Sequence, residues 1–224
     1  MTRTAAPFAL TATLAFGVAL ALAAPGAARA EPFTVNPDAG NSSFSAVFDA
    51  ALGERINAVS SAVGCDLAYD DATGLASGRC KVALTSIRVD NDDTKSDHFR
   101  QWATNKKSAP EACVIEATFR DVKVGALAAG TPAPFAAEVP FTVCGRARAD
   151  GGKEHLTGSA LLFPAGSYGD RKTIRIRATV AGFDRDAYQI GPRFTDGWLA
   201  RVQSLAKVVA EKGTIELSLF AKAK

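Results

Sequence analysis

The stretch CDLAYDDATGLASGRC, residues 65–80, begins and ends with cysteine in a chain that has only four. From Val63 the apolar side chains fall on alternate positions, Val63, Cys65, Leu67 and Tyr69, with Gly64, Asp66, Ala68 and Asp70 between them. Read backwards through Ser61 to Val59, the same alternation holds. After the turn, Cys80, Val82 and Leu84 alternate with Lys81 and Ala83. A period of two marks a strand with one face buried. The linking Asp71-Ala72-Thr73-Gly74 is turn chemistry, with glycine where a left-handed residue is wanted. If Asp70 faces Leu75, antiparallel register sets Cys65 opposite Cys80 and Val63 opposite Val82. Facing residues come within about 4.5–5.5 Å at Cα, inside disulfide range. The stretch therefore reads as a hairpin locked by a bridge in an oxidising compartment, the alternative being two buried thiols.

The N-terminus bears on the compartment. Residues 8–24 are an apolar run after Arg3, broken by Pro25-Gly26 and followed by Ala28-Arg29-Ala30. This reads as a signal peptide, residues 1–30, cleaved after Ala30, and the expected location is periplasmic or secreted. An uncleaved anchor is the competing reading. The whole chain of 224 residues carries a formal charge of +3, and losing Arg3 and Arg29 leaves +1 on residues 31–224. That near-neutral balance gives no reason to expect a nucleic-acid partner. With no second long apolar run, no stable membrane insertion is expected. The remaining length suits one domain.

Outward from the hairpin, alternation recurs. Phe44, Ala46 and Phe48 share one face, as do Cys113, Ile115, Ala117 and Phe119. The same holds for Phe135, Ala137, Val139, Phe141 and Val143; for Leu156, Ala160 and Leu162; for Ile174, Ile176, Ala178 and Val180; and for Ile215, Leu217 and Leu219. About eight amphipathic strands in sequence predict an all-β, antiparallel barrel or sandwich. Two segments depart from it. Residues 96–104 read as a short helix carrying Phe99 and Trp102. Residues 195–210 read as an amphipathic helix with Trp198, Val202, Leu205 and Val209 in its stripe, ended by Gly213. The 125–134 stretch is a loop.

Catalytic and metal motifs are weak. Residues 90–101 open like a calcium loop but have Lys95 and Gln101 where glycine and a bidentate glutamate are needed, so an acidic loop with a helix cap is the expectation and no metal is assigned. The chain has two histidines, His98 and His155, and contains no G-x-S-x-G, H-E-x-x-H or C-x-x-C. No local context supports catalysis, and neither an enzyme activity nor a cofactor is expected. Cys113 and Cys144 are left as a second pair, although Cys144 falls on the opposite face from Phe141 and Val143, and four cysteines allow three connectivities.

Several stretches together resemble a known family. These are FTVNPDAGNSSFSAVF (33–48), SIRVDNDDTKSDHFRQW (86–102), PFTVCGRA (140–147), ATVAGFDRDAYQIG (178–191) and GTIELSLF (213–220). In this order they resemble the YceI-like family of periplasmic polyisoprenoid-binding proteins, which have a lipocalin-like β-barrel. Asp97-His98-Phe99 is similar to the family's Asp-x-His-Leu corner. Arg185 and Tyr188 fall where the family has an arginine followed by an aromatic residue. Cys144-Gly145 stands in place of a frequent His-Gly, and all four cysteines are departures. The resemblance implies an isoprenoid-type lipid, a polyisoprenoid or isoprenoid quinone, held in an apolar barrel. By parity the inward set is Phe44, Phe48, Val63, Leu67, Val82, Leu84, Ile115, Phe119, Phe141, Ile174, Ile176, Ile215 and Leu217, with Phe99 and Trp102 guarding one mouth. The other reading is a disulfide-stabilised filled barrel that acts as a stress or protein-interaction module without ligand.

Overall fold

The segments Val63–Asp70 and Leu75–Ala83 form the expected hairpin, with Asp70 facing Leu75, Cys65 facing Cys80 and Val63 facing Val82. Asp70 holds the turn: its carboxylate accepts from the amides of Ala72 and Thr73 at 2.9 and 3.4 Å. Its carbonyl accepts from the Gly74 amide at 2.8 Å. Gly74 adopts φ 68°, where a side chain would be strained and would press on the Gly125 backbone. Cys65 and Cys80 are bridged, with Cα atoms 4.1 Å apart.

The computed structural model describes residues 30–50, 53–195 and 209–224. The expected signal peptide and most of the 195–210 helix lie outside the described residues. Twelve strands form one antiparallel sheet. They are β1 (Glu31–Val35), β2 (Ser43–Ala50), β3 (Arg55–Ser60), β4 (Val63–Asp70), β5 (Leu75–Ala83), β6 (Arg88–Val89), β7 (Val114–Lys123), β8 (Ala133–Val139), β9 (Phe141–Val143), β10 (Glu154–Phe163), β11 (Thr173–Asp184) and β12 (Val209–Ala223). The hydrogen-bonded order is β6-β3-β2-β12-β1-β4-β5-β7-β9, with β11 also on β12, then β10 and β8.

Twelve strands replace the expected eight or so because four runs are interrupted. A 3-10 turn at Pro37–Ala39 separates β1 from β2, and another at Leu84–Ser86 separates β5 from β6. Pro140 separates β8 from β9, since its nitrogen has no proton to donate to a ladder. Ser61 and Ala62 separate β3 from β4, and here the sequence reading needs correction. Val59 does not share the face of Val63: it is 45% exposed, whereas Ala58 and Ser60 are buried. The Ser60 hydroxyl lies 2.8 Å from that of Ser86 and accepts from the Ala62 amide at 3.1 Å, which fixes the break where parity changes.

The helix α1 spans Asp93–Thr104, capped by the Asp92 carboxylate accepting from the Lys95 amide at 2.9 Å. The acidic loop supplies this cap. Asp90 accepts from the Asn57 amide at 2.9 Å and pairs with Lys95 Nζ at 2.8 Å. A single turn, α2, spans Pro192–Thr195. At the far end of the expected 195–210 helix, Val209 and Ala210 are strand, Val209 faces Ala50, and Gly213 lies inside β12 opposite Phe48 rather than ending a helix. Cys113 and Cys144 form the second bridge, Cα atoms 4.5 Å apart. The facing conflict is resolved by backbone: Cys144 follows the last residue of β9 and takes φ 48°, turning its side chain out of the strand's alternation.

Candidate functional site

The inward faces enclose two apolar cavities with no lining residue in common. The first, about 90 Å³, lies among β1, β4, β5, β7, β8, β9, β10, β11 and β12 and includes Phe33, Leu67, Phe119, Phe141, Ile174, Ile176 and Leu217 in its wall. The 124–130 loop closes it, contributing Val124 and Leu127. Tyr69 pins that loop: its hydroxyl donates to the Gly125 carbonyl at 2.8 Å and accepts from the Leu127 amide at 3.1 Å. Both roles of the one phenol oxygen facing this cavity are thereby used.

The second cavity, about 230 Å³, lies at the α1 end, walled by Phe44, Phe48, Phe99, Trp102, Ile115 and Ile215 among others. Its polar members are Lys95, His98 and Arg185. Lys95 and His98 are exposed, so the cavity reaches its rim at α1. The Asp90 hydrogen bond raises the Lys95 pKa and keeps the ammonium charged. The His98 and Trp102 rings, one helical turn apart, stack with centroids 6.2 Å apart. Arg185 is structural as well as lining: Nε donates to the Ala210 carbonyl at 3.0 Å, Nη2 to Val209 at 3.1 Å and Nη1 to Ile190 at 2.8 Å. It clamps the start of β12 to the turn that follows β11.

A buried polar group stands beside this end. Glu154 accepts from Arg148 Nη1 and from the Tyr188 hydroxyl, both at 2.8 Å. Burial first, and then the hydrogen bond to Glu154, hold the Tyr188 phenol well above its ordinary range. Tyr188 stacks on Phe183, a wall residue of the second cavity, at 5.0 Å.

Of the residues expected to face a ligand, Leu67, Phe119, Phe141, Ile174, Ile176 and Leu217 line the first cavity. Phe44, Phe48, Phe99, Trp102, Ile115 and Ile215 line the second. Val63, Leu84 and Val82 are buried but line neither. Leu84 sits in a 3-10 turn rather than on a strand. Sequence reasoning did not find Val124 and Leu127, which lie in a loop without periodicity. It also did not place Lys95 at a cavity, because the 90–101 stretch read as an acidic loop with a helix cap. Among the described residues no cluster of histidine, cysteine and carboxylates could hold a metal.

Among the described residues an antiparallel sheet surrounds an apolar interior, and Lys95 and His98 of α1 border the second cavity. The fold is similar to a solved structure described as a polyisoprenoid binding domain from Saccharophagus degradans implicated in plant cell wall breakdown. The TM-score is 0.60 at 12% identity, over 87% of this chain and 99% of that one. At that identity the likeness is one of fold. No family model matches the chain, and no curated protein matches its sequence.

Proposed function

We propose that this chain is an exported binding protein that holds an amphiphilic lipid of isoprenoid type in the interior of a lipocalin-like, YceI-like barrel. The observation that carries the reading is the second cavity, apolar along its walls and bordered by Lys95 and His98 at the rim. A tail without polar groups gains free energy there by leaving water, at roughly 25 cal/mol per Å². A polar head stays at the rim. Barrel closure is supported by the run 133–143, whose β8 part pairs with β10 and whose β9 part pairs with β7. Joined across their interruptions, the twelve strands make eight runs, each beside the next. Two bridges and the N-terminal apolar run favour an oxidising compartment. Among the described residues no helix is long and apolar enough to cross a membrane.

One observation favours a second reading, a filled barrel acting as an interaction or stress module. Both cavities, at about 90 and 230 Å³, fall below the roughly 300–1,000 Å³ of usual ligand sites. Native mass spectrometry of the protein purified without detergent from a bacterial periplasm separates the two. An organic-extractable adduct supports the carrier. A bare polypeptide mass, lower by the hydrogens lost to two bridges, supports the filled barrel.

A further inference from the structure

The two cavities are parts of one interior, and the register shows what divides them. One inward row runs Val35–Cys65–Cys80–Ala117–Phe141 across β1, β4, β5, β7 and β9. The next runs Val63–Val82–Ile115–Val143 across β4, β5, β7 and β9. At β7 and β9 the rows touch different cavities: Ala117 and Phe141 line the first, Ile115 and Val143 the second. On β12 the same boundary falls between Leu217 and Ile215. No inward position intervenes on those strands. On β1, β4 and β11 several do. Val35 lies between Phe33 and Phe44, Val63 and Cys65 between Leu67 and Ala58, and Val180 between Ala178 and Phe183, each flanking pair having one member in each cavity. Val35, Val63, Cys65, Val82 and Val180 are all at most 4% exposed and line neither cavity.

We propose that these residues form a septum, built from β1, β4, β5 and β11 and braced by the Cys65–Cys80 bridge, that sets the length of tail the barrel accepts. The inference rests on the lipid-binding reading and adds the class of ligand to it. At roughly 30 Å³ per non-hydrogen atom, the share of one water in the liquid, 230 Å³ holds about eight such atoms. An isoprene unit has five carbons, so a two-unit tail fills the second cavity with its head-bearing carbons at Lys95 and His98. The first cavity, at about 90 Å³, adds room for only about three atoms. The fitting ligand is a short single-tailed amphiphile, not a long polyprenyl chain.

The test is a chain-length series, geraniol, farnesol and an eight-unit prenol, titrated against the mature wild-type protein by native mass spectrometry. The expected result is that geraniol binds at least about tenfold more tightly than the eight-unit prenol, a margin of about two buried methylenes. Equal or tighter binding of the eight-unit prenol overturns the septum and leaves the lipid reading standing. Binding of no prenol at any length overturns the lipid reading, and the septum with it. Trimming the facing pair, Val63→Ala with Val82→Ala, should raise the farnesol-to-geraniol affinity ratio about tenfold. Val180→Ala, on the opposite wall, should move the ratio the same way and guards against a double variant that fails to fold. An unchanged ratio in a variant with a cooperative thermal transition overturns the assignment of those residues.

Discussion

Removing the hairpin bridge tests whether Cys65 and Cys80 stabilise the fold through the unfolded chain. In the double variant Cys65→Ala, Cys80→Ala a loop with a sequence separation of 15 is released. Chain-entropy arithmetic for that loop gives about 3 kcal/mol at 25 °C. The Cys113–Cys144 bridge spans 31 residues, and the same arithmetic gives about 3.7 kcal/mol. For a domain of this size each kcal/mol moves the thermal midpoint by about 2–4 °C, so the first bridge accounts for about 6–12 °C and the second for slightly more. The assay is guanidinium and thermal unfolding of residues 31–224. Alanine also deletes sulfur atoms that are 4% and 8% exposed in residue terms, so the cost of lost packing has to be separated. Oxidised and reduced forms of a Cys113→Ala, Cys144→Ala background, in which only this bridge changes and both its sulfurs remain, are the comparison that does this. A free unfolded loop also exposes more surface, and the denaturant slope should rise. A loss below about 1 kcal/mol with an unchanged slope would refute the reasoning. It would mean that alternation and the Asp70–Gly74 turn already hold the register in the unfolded ensemble.

Three further outcomes are expected. The Tyr188 pKa is raised in the fold by burial and by its bond to Glu154, so its contribution is complete below the ordinary tyrosine pKa of about 10 and is lost as pH rises above it. Urea midpoints from pH 9 to 11 should fall less steeply in Tyr188→Phe than in wild type, and equal slopes would contradict the assignment. Glu154→Gln leaves the Arg148 guanidinium beside a neutral partner, and with a Glu154 side chain only 5% exposed the unfolding free energy should drop by about 2–4 kcal/mol in a denaturant titration. Phe48→Gln puts an amide on the wall of the second cavity from a half-buried position, and prenol affinity should fall about tenfold or more with the thermal transition kept. Undiminished binding would place the ligand elsewhere.

The hairpin was legible because two independent signals agreed, a two-residue period on both arms and turn chemistry between them. Each disagreement has a local cause. The alternation read through Ser60, Ser61 and Ala62 carried no face information, since small residues fit either side, and the parity change there put Val59 outside. Cys144 could not be oriented from strand parity because its left-handed backbone lies just past the strand. Val209 and Ala210 fit a helical stripe, but their carbonyls accept from Arg185, 24 and 25 residues away, and Val209 pairs with Ala50. Tertiary bonds of that kind override local periodicity and leave no trace in a short window.

The candidate site divides along the same line. Parity states which side chains point inward, and twelve of the fifteen residues named as inward or at the mouth do line a cavity. Parity is silent on where empty space remains, because a void is the small difference between enclosed volume and the summed side-chain volumes. Val63 and Leu84 satisfy the same pattern as Leu67 and Ile115 yet touch neither cavity, the first within the dividing layer and the second in a turn. The sequence signal for that layer is the cysteine itself. The Cys65–Cys80 bridge joins β4 and β5 with Cα atoms 4.1 Å apart and sits at the boundary, Cys80 on the wall of the first cavity and Cys65 on that of neither. Under the septum proposal the residues that lock the hairpin also limit how far a ligand reaches, so a stability measurement on Cys65→Ala, Cys80→Ala and a chain-length measurement on Val63→Ala, Val82→Ala examine one structural element from two sides.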